Sequence, residues 1–157
     1  MRKRMISLGR ADVHNTGGDS WLDLAHVATV EVTSEDPAFP IERVFQSDGT
    51  GWRAAGDGEQ QIRLIFDEPT TVRRTRLEFV ESEIERTQEF AIRWSAAQDA
   101  PKRELVRQQW TFSPAGSTRE VEQYDLNLEN VAVLELSIRP HLNEGRGRAT
   151  SSRWHVG

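Results

Sequence analysis

The chain has 157 residues, no cysteine, and 20 basic against 25 acidic side chains, which gives a net charge of -5. One domain is expected, because domains usually contain about 100–200 residues. The absence of cysteine excludes disulfide frameworks, cysteine–zinc sites and thiol nucleophiles. No apolar run approaches the roughly 18 residues that cross a bilayer. Because the acidic balance also disfavours attachment through bulk positive charge, we expect neither direct nucleic-acid binding nor a membrane partner.

The N-terminal part of the chain, residues 1–24, is a polar lead-in, and residues 25–157 form the predicted domain. The first four residues are basic, but no apolar stretch of about 7–15 residues follows them, as a secretory signal would require. We therefore expect a cytoplasmic protein.

From Ala28 onward, apolar side chains recur with a period of two, which is typical of strands with one buried face. Two sheets of this kind bury their apolar faces against each other. The pattern predicts an all-β fold, an eight-stranded antiparallel β-sandwich of jelly-roll type. The inward positions of the eight strands are, in chain order, Ala28, Val30 and Val32; Ile62, Leu64 and Phe66; Thr75, Leu77 and Phe79; Phe90, Ile92 and Trp94; Val106, Trp110 and Phe112; Tyr124, Leu126 and Leu128; Ala132, Leu134, Leu136 and Ile138; and Thr150, Ser152, Trp154 and Val156.

The connections between the predicted strands differ in length. If successive strands alternate in direction, every second connection lies at the same end of the sandwich. The longer ones gather there, and loops held by a rigid scaffold commonly carry binding residues. The longer connections are 33–60, 81–86, 113–117 and 140–147, the tight turns are 67–70, 96–102 and 129–130, and the best helical candidate runs from Pro40 to Phe45.

The first long connection carries Asp48-Gly49-Thr50-Gly51-Trp52 after the helical candidate and leads into a strand that ends at Asp67-Glu68-Pro69. This arrangement resembles the opening of a discoidin domain, the coagulation-factor type C family, whose fold is galactose-binding-domain-like. The late strand Val133–Pro140 and the segment Gly147-Arg148-Ala149 resemble the end of such a domain, so the resemblance covers roughly residues 25–156. It implies a non-catalytic module that binds a ligand through loops at one end, with carbohydrate as the expected ligand class.

A shorter segment suggests an alternative. Trp52-Arg53-Ala54-Ala55, followed by Gly58-Glu59, is similar to the N-terminal domain of the X-ray repair cross-complementing scaffold protein, which shares the sandwich fold. This second resemblance implies a protein-interaction or DNA-repair scaffold module with a protein partner. Both functions stay open at the level of sequence.

The discoidin resemblance also implies a structural calcium ion near Asp48 and Thr50. Calcium takes about 6–8 oxygen ligands, but Ser152-Arg153-Trp154 stands where that family supplies a carboxylate from its last strand. The four histidines are scattered and form no HExxH pattern. We therefore expect no obligatory cofactor, no tightly bound transition metal, and at most a weak calcium site at Asp48 and Thr50.

No sequence feature supports an enzyme. The chain has neither a GxSxG elbow nor a phosphate-binding glycine loop. Glu81, Glu83, Glu85 and Glu89 could suggest a glycosidase carboxylate pair. They fall on a strand end and a loop, where solvated carboxylates are usual.

Basic and amide side chains at the long-loop end are the candidate ligand contacts. A guanidinium fork suits carboxylates, phosphates and vicinal hydroxyls, although any one arginine could simply pair with a neighbouring glutamate. Among the aromatics, strand phase predicts that Trp94 and Trp110 pack inward, and the discoidin resemblance implies the same for Trp52. Trp21 is the candidate surface aromatic. The predicted ligand-binding residues are Arg53, Arg86, His141, Asn143, Arg146 and Arg148.

Overall fold

The structure is a computed structural model that describes residues 2–3, 21–46, 48–142 and 147–157. Within these ranges the chain forms nine strands, a single helical turn and a 3₁₀ helix, and neither helix is long and apolar enough to span a membrane. The 3₁₀ helix confirms the helical segment predicted between Pro40 and Phe45. The elements are β1 (Arg2–Lys3), α1 (Leu24–Val27), β2 (Ala28–Val32), the 3₁₀ helix (Ile41–Phe45), β3 (Trp52–Arg53), β4 (Gln60–Val80), β5 (Arg86–Ser95), β6 (Arg103–Phe112), β7 (Arg119–Arg139), β8 (Thr150–Ser151) and β9 (Arg153–Val156).

Strands β4 and β7 form a long antiparallel ribbon at the centre of the fold. Each has 21 residues, and they pair from Gln60 opposite Ile138 to Val80 opposite Arg119. The neighbours of the ribbon change along its length. Strand β2 pairs with the first half of β4 and β5 with the second half of β7, whereas β9 pairs with the second half of β4. The ribbon therefore contributes to both layers of the sandwich.

The predicted tight turns at 67–70 and 129–130 are wrong, because both segments lie inside the long strands β4 and β7. Pro69 has no N–H to donate to a ladder, and the β4–β7 register shifts between Ile65 and Thr70. On β7, Asn127 and Asn130 have φ of 51° and 57°, values that asparagine tolerates better than most residues. These irregularities interrupt the pairing without ending either strand, so two pairs of predicted strands are continuous. The last predicted strand is in turn split into β8 and β9.

The apolar core lies between the two layers, as the period-two pattern predicts. The rings of Phe79 on β4 and Phe90 on β5 lie 5.2 Å apart between centroids, which joins one layer to the other. Trp94 and Trp110, predicted to be in the core, are only half-buried against it. Both lie on the β5–β6 pair at one edge of the large sheet. Buried inward positions include Val30, Ile62, Leu64, Phe66, Leu77, Phe79, Phe90, Ile92, Leu134, Leu136 and Ile138.

The outer face of the large sheet carries charges that alternate in sign from strand to strand. Arg63 on β4 lies 3.1 Å from Glu31 on β2 and 2.9 Å from Glu135 on β7. Arg93 on β5 lies 3.7 Å from Glu135 and 3.3 Å from Glu104 on β6. Opposite charges on neighbouring strands support the register, although each partly exposed pair contributes only about 0–1 kcal/mol. This face therefore neutralises its own charge.

The contact between the two layers predicts a large effect of Phe90→Ala. Phe90 is 1% exposed, and truncating a buried phenylalanine to alanine removes about 3–5 kcal/mol from the free energy of unfolding. Urea titration of the full chain measures this change. Val121→Ala is the control, because Val121 is exposed and should change the free energy by no more than about 0.5 kcal/mol. Equal effects of the two substitutions would contradict the assignment of faces.

Candidate binding site

Three connections at the predicted long-loop end meet around a cleft of about 690 Å³. The loop after β2, the connection after β4 and the segment that enters β8 each supply part of its wall. The structure thus brings together 33–60, 81–86 and the described part of 140–147. Connection 113–117 lies nearby, since the N–H of Glu81 donates to the carbonyl of Thr118 at 2.9 Å, but it is not part of the wall. The lining residues are Phe39, Gly49, Thr50, Trp52, Arg53, Asp57, Val80, Glu81, Ser82, Glu83, Ile84, Gly147, Arg148, Thr150, Ser151 and Ser152.

The small sheet formed by β3 and β8 anchors the cleft wall. Trp52 pairs with Ser151 in this sheet, and its buried indole donates from Nε1 to the carbonyl of Ser34 at 3.0 Å, so Trp52 packs inward as predicted. Gly51 has φ of +72°, and a Cβ at this position would lie 2.5 Å from the carbonyl oxygen of Ser151. Only glycine fits such a close approach of two backbones. The wall is therefore built on tightly packed main chain.

Two of the predicted arginines line the cleft. The guanidinium carbon of Arg53 lies 4.6 Å from the ring centroid of Phe39, and no described residue accepts a hydrogen bond from this side chain. Arg148 places Nη1 at 3.1 Å from Oδ2 of Asp36. Arg53 and Arg148 therefore bring cationic donors to one wall, and part of this donor capacity is not used by the described residues.

The structure places Arg86 beneath the cleft, not in its wall. Its side chain is 1% exposed. Nε donates to Glu81 at 2.8 Å, and Nη1 donates to the carbonyl of Pro140 at 2.8 Å. A Cβ at Gly147 would lie 2.8 Å from Cδ of Arg86. Arg86 therefore supports the cleft from below, and its partner is Glu81 rather than Glu85 or Glu89.

Of the other three predicted contacts, the structure describes only His141. Nε2 of His141 hydrogen-bonds with the carbonyl of Asp57 at 3.1 Å, which places the imidazole beside a lining residue. Asn143 and Arg146 lie outside the described residues. Trp21 is half-buried, with the guanidinium of Arg74 4.2 Å from its ring centroid.

The candidate calcium residues form a local turn. Oδ1 of Asp48 accepts from the N–H of Thr50 at 3.0 Å and from its hydroxyl at 2.9 Å. These hydrogen bonds, and then the charges of Arg43 and Arg153, hold the pKa of Asp48 below its ordinary value. Within the described ranges, no group of three or more histidine or carboxylate side chains is placed to hold a metal ion.

The acidic residues at the cleft do not form an acid–base pair. Burial alone would raise the pKa of Glu81, but hydrogen bonds from Arg86 and the N–H of Glu83 hold it below its ordinary value. A general acid needs the opposite shift. Glu89 lies on the outer face of the sheet, where Gln109 donates to it at 3.0 Å. The described part of the chain thus offers no catalytic site at this cleft.

A polar cluster lies in the interior, on the inward faces of β5, β6 and β7. Burial, and then the neighbouring carboxyl of Glu122, raise the pKa of Glu120 to about 8, while the charge of Arg86 acts in the opposite direction. Buried Nη2 of Arg86, Nε2 of Gln88 and Nε1 of Trp110 have no hydrogen-bond partner among the described residues. Burial therefore favours the protonated form of Glu120 in the folded protein.

Sequence reasoning missed the apolar part of the cleft. Phe39, Val80 and Ile84 line it together with the charged groups, and Val80 is 41% exposed. Val80 directly follows the inward residue Phe79, so the alternation of the strand predicts that Val80 faces outward. This pattern was the signal available in the sequence. Phe39 stands between two prolines in a loop and has no periodic neighbours.

Several carbohydrate-binding modules are among the solved structures that share this fold. The CBM32 of AlyQ in complex with 4,5-unsaturated mannuronic acid is 17% identical, with a TM-score of 0.58 over 83% of this chain and 95% of that one. A pectin-binding carbohydrate-binding module is 15% identical, with a TM-score of 0.61 over 84% and 91%. The family 32 module of Clostridium perfringens NanJ in complex with galactose is 14% identical, with a TM-score of 0.58 over 82% and 92%.

Some matched chains are longer than this one. The chain covers 31% of a truncated AlyQ that contains CBM32 and alginate lyase domains. No protein-family model matches the chain, and no curated protein sequence matches it. The structural neighbours establish that the chain has the galactose-binding-domain-like, jelly-roll β-sandwich fold of carbohydrate-binding modules.

The buried carboxyl of Glu120 predicts a pH-dependent effect of Glu120→Gln. The unfolded chain releases this proton near the ordinary value of 4.5, whereas the folded protein keeps it to about pH 8. The wild-type contribution of this group to stability therefore falls as pH rises between these values. The melting temperature of Glu120→Gln relative to wild type should rise from about pH 5 to about pH 8.

The control for this experiment is Glu129→Gln, the same change at an exposed position on the same strand. Its melting temperature relative to wild type should stay nearly constant over the same range. A constant difference for Glu120→Gln as well would show that Glu120 is ionised in the folded protein.

Proposed function

We propose that the protein is a non-catalytic carbohydrate-binding module and that it binds sugar in the cleft between the loops after β2 and β4 and the segment entering β8. The proposal rests on the side chains that line this cleft, in a fold that is shared with carbohydrate-binding modules. Cationic donors stand beside apolar side chains in a concavity whose volume is within the range of about 300–1,000 Å³ usual for small-molecule sites.

The chemistry of the wall suits a polyhydroxy ligand. Arg53 and Arg148 offer donors, and Asp57 and Glu83 are exposed acceptors. Phe39 and Val80 offer apolar surface to the C–H face of a ring. Pockets that combine mostly apolar contact with a few convergent polar groups fix both the position and the orientation of a ligand.

The outer face of the large sheet is less suited to this task. The outer face of the large sheet is covered by Arg63, Arg93 and their glutamate partners, whose charges are matched in pairs. The described residues of the cleft keep donors and acceptors that are not matched in this way. The fold neighbours support the ligand class, since their descriptions name galactose, GalNAc, mannuronic acid and pectin.

The test is a glycan array followed by calorimetric titration of the best ligand into the full chain. Arg53→Ala should weaken binding about tenfold or more, because a hydrogen bond from a charged donor contributes about 1.5–3 kcal/mol. Arg103→Ala is the matched control. Arg103 is exposed at the start of β6, next to the 96–102 turn, and does not line the cleft. Binding that falls with Arg103→Ala and not with Arg53→Ala would place the site elsewhere.

The second candidate, a protein-interaction or DNA-repair scaffold module, is an outcome of the same experiment. A nicked-DNA binding assay and capture of a protein partner run beside the array. If no glycan binds and a defined protein partner does, the sugar-binding function is wrong and the scaffold function replaces it.

A further inference from the structure

The side chain of Arg153 lies at the loop where the discoidin resemblance implies a calcium ion. Arg153 begins β9 and is the register partner of Glu78 on β4. Its Nη1 lies 3.5 Å from Oε2 of Glu78. A Cβ placed on Gly49 would lie 3.1 Å from Nη2 of the same guanidinium. The guanidinium therefore extends from β4 to the Asp48–Thr50 turn.

The charge of Arg153 acts on carboxylates of two different parts of the chain. Glu78 is buried, and it accepts from Arg119 at 2.8 Å and from the hydroxyl of Ser152 at 3.1 Å, in addition to its pairing with Arg153. Asp48, at the tip of the turn, is also within the field of Arg153. The positive charge of Arg153 thus lies between β4 and the Asp48–Thr50 turn. Among the described residues, no other ion pair joins these two parts of the chain.

A calcium ion does not fit these residues. Calcium requires about 6–8 oxygen ligands, but Oδ1 of Asp48 already accepts from both donors of Thr50. The carboxylate of Glu78 is engaged by Arg119 and Ser152. A divalent cation would also be repelled by the guanidinium of Arg153 at this short distance.

We propose that Arg153 is a built-in cation that holds the Asp48–Thr50 turn against β4 and β9, so that the cleft wall keeps its shape without a metal ion. Gly49 and Thr50 line the cleft, so the position of the turn sets the position of the wall. Arg153 is a positioning residue, and this role does not depend on which ligand the cleft binds.

The wild-type protein provides the first test. A ligand that binds the folded state raises the melting temperature. Because the proposal leaves no calcium site in the wild-type protein, its melting temperature should be the same in EDTA and in millimolar calcium. A melting temperature that rises when calcium is added, or falls when EDTA is added, would overturn the proposal.

The second test compares Arg153→Met with Arg119→Met. Both substitutions remove a partner of Glu78, and each should lower the melting temperature by a few degrees. Only Arg153→Met should speed amide hydrogen exchange at Thr50, whose N–H bonds to Asp48, because only Arg153 reaches the turn. Unchanged exchange in Arg153→Met, or equal acceleration in both variants, would overturn the role assigned to Arg153.

Discussion

The antiparallel pairing of β4 with β7 is the interaction on which the rest of the structure depends. Strand β2 is attached to β4, β5 to β7 and β9 to the far half of β4, while β6 reaches the ribbon through β5. Both layers of the sandwich therefore share one pair of strands. The register of this pair decides which residues face the core, because a slip by one residue moves every side chain to the opposite face.

The same register has opposite consequences on the two faces of the large sheet. On the inner face it aligns Ile62 with Leu136 and Leu64 with Leu134, which are fully buried. On the outer face it aligns Arg63 with Glu135. The charges that alternate across the strands are paired with one another on this face.

Charged side chains that lie beneath the loops at the cleft help to hold them in position. Arg86 is buried under Gly147 and fixes the connection after β4 through Glu81. Arg153 performs a comparable task from the other side, between Glu78 and the turn at Asp48. A buried cation such as Arg86 is stabilising only when carboxylates and carbonyl groups satisfy it. Here Arg86 and Arg153 connect the strands to the irregular loops at the cleft.

The sequence by itself determined the all-β class, the inward face of most strands and the end at which the longer connections meet. Period-two alternation is a local property, and it holds wherever a strand is covered on one side, as at Phe90 and Ile92. Tertiary structure decided the rest. Whether Pro69 and Asn130 end a strand or interrupt it depends on the partner strand, which lies some 60 residues away along the chain. Whether an arginine faces a ligand or the interior depends on what lies opposite: Arg53 and Arg86 have the same chemistry, but Phe39 leaves the first in the cleft wall, while Glu81, Gln88 and Pro140 hold the second inside.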